Sequence, residues 1–272
     1  MAFTLSNAKK NTFAYFNTNM KKFVLAALAF TLVNIATAQT GTPLTTSTTT
    51  TTTPAKKDWS KVNLGNRAND HFMMQFGYDG WAAAPDSIHT KGFNRHFNMY
   101  FMYDMPFKSD PRFSIGAGIG VASSNIFFNK QEVDIIGLSS QLAFPDKSQT
   151  DHFKKYKLST NYIEVPLELR YVSNPENTNK SFKAAAGFKV GFMVDAHTKG
   201  KNLQNSDGQT INNYIEKESS KRYMNTTKIA ATARLGYGFL GIHFDYQITS
   251  TVKDGMGPAI NPYSVGLVVS GL

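Results

Sequence analysis

The 272-residue chain carries a formal charge of +10, 41% hydrophobic and 13% aromatic residues, and no cysteine. The lack of thiols excludes disulfides, thiolate metal sites, a cysteine nucleophile and a lipidated cysteine anchor. The basic excess does not point to nucleic acid: Lys9, Lys10, Lys21 and Lys22 precede Gln39 with no acid among them, loss of that segment leaves +6, and the remaining basic residues form no stripe.

The first element is an export signal. Lys21-Lys22, the apolar run Phe23 to Val33 and Ala36-Thr37-Ala38 follow one another as the charged, hydrophobic and small-residue regions of a secretory leader. Residues 1–38 are expected to be a signal peptide cleaved after Ala38, with Met20, directly before the two lysines, as an alternative start of translation. The apolar run is too short to be a spanning helix, and no later stretch approaches the roughly 18 apolar residues such a helix needs. A mature chain in a membrane must therefore cross it with strands.

Residues 39–69 are expected to form a periplasmic linker. Thr45 to Pro54 is almost wholly threonine and serine and has no apolar side chain to bury, which predicts a disordered tether.

Residues 70–272 alternate with the period of two that marks strands with one apolar face. Eight runs follow in order, with apolar faces Phe72 to Tyr78, Phe97 to Met105, Phe113 to Val121, Ile163 to Tyr171, Phe182 to Phe192, Ile229 to Tyr237, Leu240 to Ile248 and Tyr263 to Val269. Short and long connections alternate. Pro106 to Arg112, Val172 to Ser181 and Gly238-Phe239 are turns, whereas residues 82–93, 125–161, 195–227 and 249–262 are longer. That alternation predicts an all-β fold, an eight-stranded antiparallel transmembrane barrel with short periplasmic turns and long extracellular loops.

A secreted soluble barrel also alternates, but it turns its apolar face inward. The content of the polar face favours the membrane form. Glu164, Glu168, Arg170, Lys183, Lys189, Lys228, Arg234 and Asp245 carry both signs of charge among many glycines. A narrow eight-stranded interior filled by its own side chains suits such a set, so these eight residues are predicted to form a lumen charge network. Pro166 lies mid-strand and cannot donate a ladder hydrogen bond, which predicts a bulge there.

The segment Tyr162-Ile163-Glu164-Val165-Pro166-Leu167-Glu168-Leu169-Arg170-Tyr171 resembles a strand motif of the PorT-like outer-membrane barrels of Bacteroidetes. In that motif an aromatic or aliphatic residue precedes Ile/Val-Pro-Leu-x-Leu-Lys/Arg-Tyr, and the glycine-rich Phe113 to Val121 resembles another strand of the family. The resemblance spans about residues 70–272 and implies a barrel in a Gram-negative outer membrane. Glu168 stands where the family often has an aliphatic residue, which makes a charged lumen more pronounced here. PorT is associated with a secretion system for gliding and virulence proteins, and the motif does not carry that role across.

Chemistry is sparse. His71, His96 and His243 fall on the polar face, but no local motif joins a histidine to a serine and an acid, and no ligand spacing suggests a metal. No catalytic residue, cofactor or metal is assigned, and no enzymatic activity is expected. In the 125–161 loop, apolar Ile135, Ile136, Leu138, Leu142 and Phe144 precede Lys154, Lys155 and Lys157, a basic cluster suited to lipopolysaccharide phosphates. The expected partners are outer-membrane lipid and lipopolysaccharide, with an envelope protein as a further one. The expected function is structural, adhesive or partner-binding, exerted through the outer loops. The alternatives are a component of a protein-export or envelope-assembly complex reached through residues 39–69, and a small-solute pore.

Overall fold

In a computed structural model, residues 71–270 are described; the expected leader and threonine-rich linker lie outside them. Among the described residues period-two alternation becomes nine strands: β1 (Phe72–Ala82), β2 (Arg95–Pro106), β3 (Phe113–Phe128), β4 (His152–Val172), β5 (Phe182–Gln204), β6 (Thr210–Ser219), β7 (Thr227–Tyr237), β8 (Leu240–Gln247) and β9 (Asn261–Ser270). Eight of them close a ring. Each pairs antiparallel with its neighbour in the order β1, β2, β3, β4, β5, β7, β8, β9, and β9 returns to β1 through pairs such as Phe76 with Leu267. Closure removes the unpaired edges that hydrocarbon does not tolerate.

The eight predicted runs are the eight strands of the ring. β6 is the addition, and it arises inside residues 195–227, which the sequence reading leaves as a loop. The lower part of β5, Phe182 to Phe192, pairs with β7, and the upper part, His197 to Gln204, pairs with β6. The 125–161 connection is also shorter than expected, because β3 runs on to Phe128 and β4 starts at His152.

These strands outlast their prediction because their faces exchange character partway up. On β4 the even-numbered residues from Tyr156 to Val172 point inward, polar or charged at Glu164, Glu168 and Arg170 and apolar at Tyr156, Leu158 and Tyr162. The outward residues change in the opposite sense, from Ile163, Val165, Leu167 and Leu169 to Lys157 and Lys155. β3 changes between Val121 and Ser123, and β5 between Val194 and Asp195. Below this level the outer surface is an apolar belt: Phe76, Phe101 and Leu169, which a soluble barrel would bury, are 44%, 64% and 53% exposed. The changeover therefore marks the outer limit of the lipid-facing surface.

Pro166 produces no bulge. Register continues across it, with Ala117 opposite Leu167 and Gly120 opposite Glu164 on one side and Pro166 opposite Lys189 on the other; the ladder to β3 lapses at Val165 and Pro166. A gap of two rungs is enough to accommodate the missing N–H. The register shift of β4 against β5 falls instead between Asn161 and Tyr162, at the changeover.

At the opposite end the turns are short. The Arg112 guanidinium meets the Asp110 carboxylate at 2.6 Å, the Glu176 N–H donates to Asn174 Oδ1 at 3.0 Å, and Gly238, at φ 61°, supplies the left-handed residue for the tight β7–β8 turn.

Above the changeover, β3, β4, β5 and β6 form a sheet whose inner face is covered by folded loops. Ile126, Phe128, Tyr156, Leu158 and Ala196 of the sheet pack with Val133, Ile135 and Leu142, with Tyr223 and Met224, and with Val252 and Ile260 in one buried cluster. Polar pins hold the loops. Gln131 donates to the Ser87 and Phe144 carbonyls at 2.8 and 3.1 Å and accepts from the His89 N–H at 2.7 Å. The Leu142 N–H donates to the Met256 carbonyl at 2.8 Å. This outer head has an apolar core of its own.

Candidate functional site

Two arrangements carry the charged side chains. The first fills the barrel. Glycines on the inward face of β3 leave room for long neighbours: a Cβ at Gly116 would collide with the Arg170 guanidinium, and one at Gly120 with the Tyr100 ring and the β2 backbone. Into this space Lys228 reaches Glu164 at 2.7 Å, and the Tyr100 hydroxyl donates to the other Glu164 oxygen at 2.7 Å. Glu168 accepts from Arg234 and from Arg170, whose guanidinium also lies 3.6 Å from Asp104. Lys189 donates to Asp245 at 2.8 Å and to Gln75 at 2.9 Å.

Of the eight predicted lumen residues, Glu164, Glu168, Arg170, Lys189, Lys228, Arg234 and Asp245 thus meet one another as ion pairs. Lys183, the eighth, lies near the periplasmic end and lines a cavity of about 50 Å³ with Asp104, Arg170 and Arg234. Tyr100, Gln75, Asn98, Asp79 and Asp104 also belong to the network, beyond the eight charges expected there. Their signal was present, since each sits on the inward phase of its strand. A charge inside so narrow a barrel is stable only with a partner, and these residues supply the partners.

Asp79 accepts from Ser264 at 2.6 Å and from Ser124, and its carboxylate also meets His96 Nδ1 at 2.7 Å. An acid, a histidine and serines therefore do come together, but not in nucleophilic order. Both serines bond the acid, and the other ring nitrogen of His96 faces His243 Nε2 at 3.0 Å. Asp79, His96 and His243 are each at most 5% exposed. Among the described residues no group of three His, Cys, Asp or Glu side chains is placed to hold a metal ion.

The second arrangement lies on the outer face of the upper sheet. Of the basic cluster anticipated on 125–161, Lys154 stands at an irregularity where the ladder skips it and Asn202, whereas Lys155 and Lys157 lie in regular register. Lys157 is opposite Lys199 and Lys199 is opposite Lys217; Lys155 is opposite Lys201. Five lysines from three strands thus share one surface. Lys155 and Lys157 are legible in sequence because they are neighbours along the chain, whereas Lys199, Lys201 and Lys217 join them only through cross-strand register.

A closed strand ring with an apolar exterior, a charge-paired interior and loops gathered at one end defines an outer-membrane β-barrel. The model of the outer membrane protein beta-barrel domain family matches residues 60–253, and the chain belongs to that family. It resides in the outer membrane. No curated protein matches the chain. Among solved structures, Ail, the attachment invasion locus protein of Yersinia pestis, is similar at 11% identity with a TM-score of 0.32, over 73% of this chain and 95% of that one. A second structure of Ail, in complex with the heparin analogue sucrose octasulfate, gives 13% identity and a TM-score of 0.31, over 73% and 96%.

Proposed function

We propose that this protein is a non-enzymatic outer-membrane anchor that holds a folded binding surface outside the cell. The observation that carries this reading is the contrast between the two ends of the molecule. The outer connections build an apolar core under a four-stranded sheet, whereas the periplasmic connections are turns. Loops without a binding role have no need of such packing, and ordered loops on a rigid scaffold are where binding residues concentrate. Ile136 and Leu138 project from that head 52% and 91% exposed, an apolar tip suited to a partner.

The filled interior argues against a pore, and the enclosed His96–His243 contact against a hydrolase. Export through a leader cleaved after Ala38 belongs to the same reading. So does membership of the PorT-like branch in a Bacteroidetes cell, supported by the Tyr162 to Tyr171 motif. The test exchanges residues 129–151 for a short Gly/Ser linker. The variant should still assemble in the outer membrane with heat-modifiable migration, yet lose cross-linking to its surface partner through a photoreactive residue at 222, which in the wild type lies beside the Gly137 carbonyl. Sustained conductance of the purified wild-type protein in planar bilayers would overturn the reading in favour of a pore.

A further inference from the structure

We propose that the outward face of the upper sheet docks the phosphate groups of the outer-leaflet glycolipid, held by Lys155, Lys157, Lys199, Lys201 and Lys217 with Arg95 at its edge. This rests on the reading above that the upper sheet stands outside the membrane, and it names a ligand for that sheet.

The lysines are not scattered. Lys157, Lys199 and Lys217 occupy directly opposed positions on three neighbouring strands, and Lys155 and Lys201 are opposed nearby. Like charges directly opposite one another destabilise a sheet, so three in a row need a counter-charge. None of the five is ion-paired among the described residues; Lys157 makes a hydrogen bond of 2.5 Å to Asn125 Oδ1. Burial, together with Lys199, Arg95 and Lys217, lowers the Lys157 ammonium below its ordinary value. Arg95 extends the patch, with its guanidinium 5.0 Å from the centre of the Phe127 ring, and Phe127 is the register partner of Lys157.

Neighbouring acids do not neutralise this face. Asp195 acts electrostatically on Lys217, but it is a single carboxylate against five lysines and its hydrogen bonds go to His197 at 2.6 Å and Asn161 at 3.1 Å. Glu218 is opposite Thr198 and Glu216 opposite Gly200, and both acids line a cavity with Glu132 beneath the sheet. Glu216 and Glu218 thus face the inner side of the sheet, and Asp195 shares the outward face with the five lysines and Arg95, which leaves that face strongly basic.

Position selects the ligand. The lysines continue the same outward face that carries Ile163, Val165 and Leu167 lower on β4, so they look sideways over the lipid rather than up into solvent. Lys157 lies four residues above Asn161, the changeover residue. That is about 13 Å along a strand, or about 10 Å in height at a barrel tilt near 40°. Lysine stems can reach down from there to the headgroup layer. Phosphates fixed to the outer-leaflet glycolipid occupy that layer, and a soluble polyanion has no reason to prefer it.

The test is native mass spectrometry of the full-length protein in non-ionic detergent with added lipid A. Diphosphoryl lipid A should be retained at least about tenfold over fully dephosphorylated lipid A, equivalent to about 1.4 kcal/mol. Replacing the five lysines by glutamine should abolish the difference, and Lys199→Gln alone should reduce it. Lys108→Gln, an equal charge change at the periplasmic end, should leave it intact. If the fivefold variant fails to show heat-modifiable migration, Lys155→Gln/Lys201→Gln, at two exposed positions, should still weaken retention. Equal retention of both lipids, an unaffected fivefold variant, or tighter binding of soluble inositol hexakisphosphate than of diphosphoryl lipid A would each overturn the proposal. Failure of the wild-type barrel to migrate in a heat-modifiable way would instead overturn the reading on which it rests.

Discussion

Glu168 on β4 and Arg234 on β7 meet across the lumen through hydrogen bonds of 3.1 and 2.5 Å, and Arg170 adds another at 3.1 Å. Glu168 is 1% exposed, so its charge depends on these two guanidinium groups and theirs depends in part on it. Removing one member of a buried pair leaves an uncompensated charge and typically costs about 3–5 kcal/mol, whereas removing both can be nearly neutral. Glu168→Leu is expected to lower the unfolding free energy of the lipid-reconstituted barrel by that amount in a urea titration. Glu168→Leu/Arg234→Met should recover part of the loss. A cost below about 1 kcal/mol for the single change would show that the network does not hold the barrel together.

Acidity should tighten the outer head. Burial and the neighbouring Glu216 and Glu218 push the Glu132 carboxyl above its ordinary 4.5, and burial with Glu216 and Asp134 does the same to Glu218. A raised folded-state value means that the folded head binds more protons than the unfolded chain between 4.5 and that value. Head stability therefore rises as pH falls through this window and is lost as pH rises. The turn carboxyl Asp110, lowered by its Arg112 partner, acts in the opposite sense only below its ordinary 3.8. Hydrogen exchange in β6 and residues 129–151, corrected for intrinsic chemistry, should slow between pH 7 and pH 5, and Glu132→Gln should reduce the change. Faster corrected exchange at pH 5 would contradict the assignment.

The contrast between Glu164 and Lys199 shows what sequence alone can reveal. Glu164 stands in a run whose opposite face is unbroken Ile163, Val165, Leu167 and Leu169, so period two places it inside the barrel without any structure. Lys199 follows an extra residue, Val194, at the register shift, on a strand whose apolar side has changed from outward to inward. A pattern that exchanges its faces looks like a pattern that ends, so sequence alone leaves the upper halves of β4 and β5 as loops. Pair identity was illegible for a related reason. Lys189 meets Asp245, on a strand two places away round the ring, and that meeting depends on strand stagger rather than on spacing along the chain.

Tyr223 pins the longest outer loop. Its hydroxyl lies 2.6 Å from the Gly137 carbonyl and 2.8 Å from that of Ser139, and the ring is 1% exposed in the head core. Tyr223→Phe keeps the packing and removes the pin, at a local cost of about 1–2 kcal/mol. Limited proteolysis should then cut within residues 129–151 at a protease concentration that spares the wild type, while heat-modifiable migration of the barrel stays unchanged. Cleavage at wild-type rates would mean that the apolar core alone orders the loop.

The changeover on β4 predicts a depth-dependent cost for charge. Leu167 lies midway along Tyr162 to Val172 and is 56% exposed on the lipid side; Ile163 lies just below the changeover at 40%, and Asn161 just above it. A lysine on the lipid face of a barrel costs about 2–4 kcal/mol at the bilayer midplane and about 0–1 near the interface. Leu167→Lys should therefore destabilise the lipid-reconstituted protein by about 2–4 kcal/mol. Ile163→Lys should cost less, because its stem can carry the ammonium to the headgroups, and Asn161→Lys should be close to neutral. A head protein resting in water on both faces would show no such gradient, since all three lysines would be hydrated alike. Equal costs at 161, 163 and 167 would remove the membrane boundary from this level of β4, and with it the height assigned to the lysine row.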